Sequence, residues 1–348
     1  MSRTGTGGTD RLVRGIGRVI TVYERLSRLD RGRPPVTPVD RDLRLVVTAV
    51  REEADGVRGL TLSAPDGRVL PRWRPGAHLD LVLPSGRVRQ YSLCGDRNRA
   101  REYRIAVRRI DRGGASGEIH QSLRAGDPLV VRGPRNAFPF VAAQRYLFVA
   151  GGIGITPILP MVRAAAAAGA DWRLVYCGRS RSSLPFLGEL AGSDTGRVWV
   201  RTDDDYGIPA SGAELLEHAP DGATVYCCGP IPMITGLRLD LPASRARSLH
   251  FERFSAPPIS GGRTFEVELA RTGRVLTVPA DRSALDVVRT AKPDVAYSCR
   301  QGFCGTCRTR VLDGEPDHRD HTLTQEQRAD GMLLCVSRAD GGRLVLDL

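Results

Sequence analysis

Cys299-Arg300-Gln301-Gly302-Phe303-Cys304-Gly305-Thr306-Cys307, followed by a fourth cysteine at Cys335, is the stretch around which this chain is organised. The spacing C-x4-C-x2-C with a distant fourth thiol is the one that holds a plant-type two-iron, two-sulfur centre. Three ligands on one tight loop can wrap a small cluster only if the backbone bends sharply between them. Gly302 and Gly305 stand at those positions, and glycine adopts the required conformations without steric cost.

Two other interpretations of the four cysteines are weaker. Zinc also prefers sulfur ligands, but its structural sites usually combine two C-x2-4-C pairs, and this chain has one such pair. Four cysteines of an ordinary core would not explain the spacing or the glycines between them. The motif therefore predicts Cys299, Cys304, Cys307 and Cys335 as the ligands of a 2Fe-2S cluster.

The composition limits the classes of function. The chain has 348 residues, enough for two or three domains, and a formal net charge of +12 carried by arginine, with Lys292 as the one lysine. The arginines are spread along the chain without a basic block, which argues against nucleic-acid binding. Residues 264–348 hold 12 basic and 13 acidic side chains, so the excess positive charge lies before them.

Neither a signal peptide nor a membrane span is expected. The longest uncharged run, Tyr146–Val162, has 17 residues and is interrupted by three glycines and two prolines. A span needs roughly 20 mostly apolar residues. The four cysteines outside the motif show no disulfide framework, so the expected location is the reducing cytoplasm. We expect a monomer.

Changes of pattern along the chain predict its domains. Short alternating strands with turn pairs such as Pro75-Gly76 indicate a β-barrel, and strands alternating with helices then indicate a parallel sheet. The predicted divisions are a basic N-terminal extension at 1–40 with a helix at 12–29, a barrel at 41–142, an α/β domain at 143–254, a linker rich in Pro, Gly and Ser at 255–263, and a small β-rich cluster domain at 264–348.

Two further motifs suggest nucleotide cofactors. Tyr146–Ala150 reads as a buried strand, and Gly151-Gly152-Ile153-Gly154-Ile155-Thr156-Pro157 then leads into an alanine-rich helix expected from about Ile158 to Ala168. Strand, glycine loop and helix bring a dinucleotide pyrophosphate to a helix N-terminus. In the barrel region, Arg89-Gln90-Tyr91-Ser92 and Gly113-Gly114-Ala115-Ser116 combine an arginine, an aromatic ring and free backbone amides, which suit a flavin and its phosphate.

Together these motifs resemble the phthalate dioxygenase reductase family, which includes the vanillate O-demethylase reductases. The matching strings are Pro75–His78, Arg89–Asp96, Gly133–Pro139, Gly151–Pro157, Cys228-Gly229-Pro230 and the cysteine loop through to Glu315. The resemblance covers about residues 43–348. It implies a multidomain fold: an FMN-binding, ferredoxin-reductase-like β-barrel, an α/β NAD-binding domain with a parallel sheet, and a C-terminal α+β ferredoxin domain of the β-grasp type.

The resemblance also implies roles for single residues. The FMN site would comprise Arg89, Tyr91, Ser92, Gly114, Ser116 and Phe254. The NAD site would comprise Gly152, Gly154, Thr156, Cys228, Gly229 and Pro230, with Cys228 beside the nicotinamide. Hydride transfer of this kind needs no acid or base, so we expect no essential acid–base residue.

The three motifs support one another chemically. A nicotinamide gives up two electrons as a hydride and a 2Fe-2S cluster accepts one at a time, so a flavin must act between them. The leading hypothesis is an NADH-dependent reductase component of a two-component oxygenase, with a Rieske-type oxygenase as the favoured partner. A haem-thiolate monooxygenase or another acceptor is an alternative, and an iron–sulfur redox sensor is an alternative of a different class.

The coenzyme preference rests on two short stretches of sequence. Arg179 and Arg181 follow the strand expected at Arg173–Tyr176 and could hold the 2′-phosphate of NADPH. The three acidic residues Asp203, Asp204 and Asp205 would repel that phosphate if they lie near the ribose. We therefore expect NADH rather than NADPH.

Overall fold

The structure, a computed structural model, describes residues 42–110, 114–191, 196–254, 259–297, 300–302, 305–320 and 322–348. The predicted extension 1–40 with its helix at 12–29 lies outside the described residues. So do Cys299, Cys304 and the first four residues of the predicted linker. Residues Asp42–Leu348 form one compact unit.

The first part of this unit is a six-stranded antiparallel sheet with strand order β4-β3-β6-β1-β2-β5. An additional bridge between Leu93, just beyond β4, and Ile105 of β5 joins the two edges and closes the sheet into a barrel. Alternate residues of β3 and β4 face inward, and Leu79 and Leu81 are fully buried in the core. The elements are β1 (Asp42–Ala54), β2 (Val57–Ser63), β3 (Ala77–Val82), β4 (Val88–Ser92), β5 (Glu102–Arg108), α1 (Ala115–Ser122) and β6 (Pro128–Asn136).

The second part is a five-stranded parallel sheet with strand order β11-β10-β7-β8-β9 and helices on both faces. Along β7, Phe148 packs in the same core as helix α2, whereas Leu147 and Val149 pack with α5 and α6 on the other face. The elements are β7 (Arg145–Gly151), α2 (Ile155–Ala167), β8 (Asp171–Gly178), α3 (Leu187–Ala191), β9 (Val198–Thr202), α4 (Asp203–Tyr206), α5 (Gly212–Leu216), β10 (Thr224–Cys228), α6 (Ile231–Asp240) and β11 (Ser248–Glu252), with 3-10 turns at Gly152–Gly154, Arg181–Ser183 and Leu241–Ala243.

The third part is a mixed five-stranded sheet with strand order β13-β12-β18-β14-β16, in which β12 and β18 are parallel. Helix α7 begins at its cap Ser283 and buries Leu285 and Val288 in the core of this sheet. The elements are β12 (Phe265–Leu269), β13 (Arg274–Val278), α7 (Ala284–Ala291), β14 (Arg308–Asp313), β15 (Pro316–Asp317), α8 (Gln325–Ala329), β16 (Gly331–Leu333), β17 (Arg338–Ala339) and β18 (Arg343–Leu346).

Helix α2 begins at Ile155, three residues before the predicted start. The 3-10 turn at Gly152–Gly154 runs directly into the helix, and Pro157 lies in the first turn, where its missing N–H has no intrahelical partner to lose. The glycine loop therefore lies directly against the N-terminus of the helix.

Ion pairs hold the barrel against the parallel sheet. Arg104 of β5 contacts Glu53 at 2.8 Å and Glu189 of α3 at 2.5 Å, and its guanidinium lies 4.6 Å from the ring centre of Phe186. Glu189 also pairs with Arg163 of α2. One carboxylate thus joins two arginines from different parts of the unit, which restrains the barrel relative to the sheet. No helix in the described part of the chain is long and apolar enough to cross a membrane.

Candidate functional site

A cleft of about 620 Å³ lies where the three sheets meet. Its walls come from β4, the N-terminus of α1, the glycine loop, the end of β11 and the cysteine loop. All six residues predicted for the flavin site line it, and so does one residue predicted for the NAD site. These are Arg89, Tyr91, Ser92, Gly114, Ser116, Phe254 and Thr156.

Strand β4 supplies one wall of the cleft. Tyr91 pairs with Leu79 of β3 and Ser92 pairs with His78, so the register of the barrel sets their positions. Burial raises the pKa of Tyr91 to about 12, although the neighbouring Arg89 opposes the shift. The phenol is therefore neutral at physiological pH, and its O–H is available as a hydrogen-bond donor.

The N-terminus of α1 forms an anion cradle at one end of the cleft. Its cap, Gly114, has φ +82°, and no side chain among the described residues caps the first turn. The first backbone N–H groups of a helix have no intrahelical partners and favour an anion. Arg89, Arg108 and Arg109 line the same cleft and add positive charge. This arrangement of donors fits the phosphate of a flavin mononucleotide.

Ser116 makes a hydrogen bond at the N-terminus of α1. Its Oγ accepts a hydrogen bond from the backbone N–H of Ile110 at 3.2 Å, so it ties the end of the preceding strand to the helix. The side chain is buried but still lines the cleft. Its hydroxyl proton remains available for an acceptor bound in the cleft.

The two stretches predicted to bind NAD lie against each other. A Cβ atom at Gly154 would collide with the carbonyl oxygen of Cys228, and one at Gly151 would collide with the ring of Pro230. Gly152 differs from them, because it has φ +55° and faces open space. Gly151 and Gly154 therefore allow close backbone packing, whereas Gly152 borders open space. This geometry fits a dinucleotide pyrophosphate.

Replacing these glycines with alanine should separate the effect on backbone packing from the effect on NADH binding. Gly154→Ala forces the backbone away from Cys228, and we expect the free energy of unfolding to fall by roughly 1–3 kcal/mol. Gly152→Ala meets no atom of the described residues, although its φ of +55° costs an alanine roughly 1–2 kcal/mol. Because the new methyl group fills the open space, this variant should weaken NADH binding more than Gly154→Ala does. Chemical denaturation and the KM for NADH measure the two effects. Equal losses of stability and of NADH affinity in both variants would contradict this assignment.

Cys228 and Glu252 end neighbouring parallel strands and are paired in register. The Cys228 thiol is fully buried, and burial raises its pKa well above the ordinary value, so it stays protonated. Glu252, rather than Cys228, lines the cleft. The Oε2 atom of Glu252 is buried and makes no hydrogen bond to any described residue. Burial raises the pKa of this carboxyl to about 8.

Sequence reasoning did not assign a role to Glu252. A signal was available, because a carboxyl group at the carboxyl end of a parallel strand lies where ligands of open α/β sheets bind. At neutral pH, Glu252 is a protonated acid at the wall of the cleft, and its O–H has no acceptor within the described residues. It can donate a hydrogen bond to a bound cofactor.

A buried arginine organises the far end of the nucleotide-binding edge. Arg201 contacts Glu214 at 3.0 Å and Asp203 at 3.5 Å, and its guanidinium lies 4.2 Å from the ring centre of Tyr206. The backbone N–H of Asp204 donates to the carbonyl oxygen of Arg179 at 3.0 Å. Arg179 and Asp204, one residue from each of the two stretches considered for coenzyme choice, therefore adjoin at the ends of β8 and β9.

The structure describes two of the four predicted cluster ligands. Cys307 and Cys335 are both buried, and the carbonyl oxygen of Cys307 accepts a hydrogen bond from the N–H of Leu334 at 3.3 Å. This bond continues the pairing of β14 with β16 and brings both cysteines to the same end of the two strands. Gly302 has φ +81° and lies against Val336. This half of the site fits a cluster held by four thiolates.

Three residues around the cysteine loop also line the cleft, namely Tyr297, Arg300 and Gln301. Sequence reasoning missed them, because no pattern along the chain shows which part of the cysteine loop turns toward another domain. Their presence means that a flavin in the cleft and a cluster in the loop would be neighbours.

Comparison with known proteins agrees with this geometry. Residues 267–340 match the 2Fe-2S iron-sulfur cluster binding domain, and residues 148–238 match the oxidoreductase NAD-binding domain. The chain is 37% identical over 317 residues to phthalate dioxygenase reductase from Burkholderia cepacia, covering 89% of this chain and 98% of that protein. A solved phthalate dioxygenase reductase structure superposes with a TM-score of 0.69 at 35% identity, covering 89% of this chain and 98% of the other.

The chain belongs to the phthalate dioxygenase reductase family. The predicted multidomain fold, with a barrel, an NAD-binding parallel sheet and a C-terminal ferredoxin domain, is confirmed. This member of the family is also similar to part of an intact self-sufficient cytochrome P450 monooxygenase, at 37% identity and a TM-score of 0.70. That match covers 94% of this chain, but the chain spans only 44% of the length of the P450 protein.

Proposed function

We propose that this reductase passes electrons from NADH through FMN and a 2Fe-2S cluster to a Rieske-type oxygenase. The observation that carries the proposal is the shared cleft, which the barrel, the glycine loop and the cysteine loop all line. A flavin bound there accepts two electrons as a hydride and releases them singly. The chain's own contribution is to bind, orient and shield the three centres.

The FMN ring would bind along β4 against Arg89, Tyr91 and Ser92. Its phosphate would bind at the N-terminus of α1, where Gly114 leaves the backbone amides open and Ser116 offers a hydroxyl. The half-exposed ring of Phe254 covers the cleft from the end of β11. The neutral Tyr91 and the protonated Glu252 would donate hydrogen bonds without adding negative charge.

The NADH pyrophosphate would bind over Gly152, with Gly154, Cys228, Gly229 and Pro230 forming the backbone floor. Thr156 is buried at the junction of the loop and the cleft, and its hydroxyl donates to the carbonyl oxygen of Ile153 at 3.0 Å. This bond holds the glycine turn against the helix. The acidic residues Asp203, Asp204 and Asp205 favour NADH, because a 2′-phosphate near them would be repelled.

Cys299, Cys304, Cys307 and Cys335 would hold the cluster. An oxygenase partner follows from the family, because the relatives include the reductase subunit of a putative toluene-4-sulfonate monooxygenase system in Comamonas testosteroni, 41% identical over 88% of this chain and 99% of that protein. The similarity to part of a P450 monooxygenase favours a haem-thiolate enzyme as the second candidate partner. We also propose that the reductase acts as a monomer in the cytoplasm.

Analysis of the bound cofactors tests the proposal. Flavin released from the purified protein by acid should chromatograph as FMN and not as FAD, in a ratio of one per two iron atoms. Reduction should be faster with NADH than with NADPH. Absence of flavin would reject the reductase and favour an iron–sulfur redox sensor. A preference for NADPH would reject the role given to the acidic residues.

A further inference from the structure

One hydrogen bond joins the cysteine loop to the flavin side of the cleft. The side-chain amide of Gln301 donates through Nε2 to the backbone carbonyl oxygen of Arg253. Gln301 lies two residues after the predicted ligand Cys299, whereas Arg253 directly follows strand β11. The bond therefore connects the cluster domain to the NAD-binding sheet, two parts that are separated by the linker.

Both ends of this bond are at the cleft. Glu252 and Phe254, which flank Arg253 in the chain, line the cleft, and so does Gln301 itself. Any movement of the cysteine loop away from Arg253 would change the distance between a flavin in the cleft and a cluster in the loop.

The loop is also fixed on its own side. Arg300 forms an ion pair with Asp286 of α7. Its φ of +55° is unusual for a residue with a side chain, and the turn continues into Gly302 at φ +81°. A backbone conformation of this kind persists where the surroundings determine it. Gln301 is thus presented toward Arg253 by a loop that is anchored to α7 and packed against Val336.

We propose that Gln301 is a positioning residue that holds the cysteine loop against the flavin cleft and thereby sets the rate of electron transfer from flavin to cluster. The inference rests on the proposed function. In the step concerned, one electron leaves the reduced flavin and reduces the oxidised cluster, and no bond forms or breaks. The net stabilisation that one hydrogen bond provides corresponds to roughly a fivefold change in the ratio of two states, with the loop held at Arg253 and with the loop released from it.

Gln301→Glu tests this role in the flavin-loaded and iron-loaded protein. The carboxylate has the same length as the amide but cannot donate, and it repels the carbonyl oxygen of Arg253. Gln301→Met removes the donor without adding charge, so it shows whether the effect of Gln301→Glu comes from the added charge or from the lost hydrogen bond. Gln325→Glu, at the exposed start of α8 in the same domain, is the matched control. Iron content and visible absorbance verify that each variant retains its cluster.

Two measurements distinguish a positioning role of Gln301 from a general loss of protein stability or activity. Anaerobic rapid mixing with NADH should show flavin reduction unchanged and the later bleaching of the cluster slowed by roughly fivefold or more in both Gln301 variants. Hydrogen–deuterium exchange of peptides covering residues 248–254 should be faster in them, whether or not electrons flow. The Gln325→Glu control should match the parent protein in both measurements.

Cluster reduction at the parental rate in both Gln301 variants would overturn the inference. Unchanged hydrogen exchange at 248–254 would overturn it as well, because the contact would then not hold the end of β11 to the cysteine loop. A parent protein that binds no flavin would instead reject the proposed function, while the exchange measurement would still decide whether the contact holds the two parts together.

Discussion

Cys335→Ser is expected to remove the 2Fe-2S cluster while leaving NADH-dependent reduction of the flavin in place. The residue lies in the cluster domain, remote in sequence from the barrel and the glycine loop that form the other two sites. Serine oxygen is a harder ligand than a thiolate and is less suited to iron–sulfur clusters. Loss of a residue that hydrogen-bonds to a metal ligand typically lowers metal affinity or activity by roughly 10–100-fold, so loss of a ligand itself should lower cluster binding further.

Iron analysis, visible absorbance and two activities measure this result. Reduction of a one-electron acceptor that depends on the cluster should fall to background, whereas reduction of ferricyanide by the flavin should persist. Cys227→Ala is the matched control, because Cys227 is a fully buried cysteine outside the motif. A Cys335→Ser protein that keeps a full 2Fe-2S spectrum would contradict the assignment of this ligand.

Glu252→Gln is expected to make the protein more stable at alkaline pH. The pKa of Glu252 is raised to about 8 by burial, from an ordinary value of 4.5. Between these two values the unfolded chain has released the proton and the folded chain still holds it. Stability therefore falls as pH rises through this window, by roughly 3–5 kcal/mol in total. Glutamine has nearly the same shape and never becomes charged, so the stability of the variant should not fall in this pH window.

Thermal unfolding midpoints at about pH 5 and about pH 9 test the sign of this effect. The two proteins should unfold at similar temperatures at the acidic pH, and Glu252→Gln should unfold at a higher temperature at the alkaline pH. Glu217→Gln, an exposed carboxyl at the end of α5, is the control and should follow the parent protein. A parallel pH dependence of the parent and Glu252→Gln would show that the carboxyl ionises normally.

Much of the fold was predictable because its signals are local. The cysteine spacing, the buried strand before the glycine loop and the turn pairs of the barrel each lie within one short stretch of sequence. Such stretches predict the three domains and their order along the chain. The start of α2 was wrong by three residues, because a glycine turn can continue directly into a helix.

The composition of the cleft was only partly predictable, because it depends on contacts between distant parts of the chain. The flavin-site residues of β4 and α1 carry recognisable motifs, and the structure brings them together. Glu252 is distinguished by its burial, and Gln301 by a bond to another domain. Neither the burial nor the contact is visible in a linear pattern, although the position of Glu252 at the end of a parallel strand is. The same holds for Gly154, whose lack of a side chain serves packing against Cys228.

An anaerobic titration of the purified protein with NADH tests most directly whether one chain carries electrons from the coenzyme to the cluster. Visible absorbance follows the flavin and cluster bands, and low-temperature electron paramagnetic resonance detects the reduced cluster. We predict that NADH bleaches both bands and produces the signal of a reduced 2Fe-2S centre. A protein that binds iron but contains no flavin that responds to NADH would contradict the account.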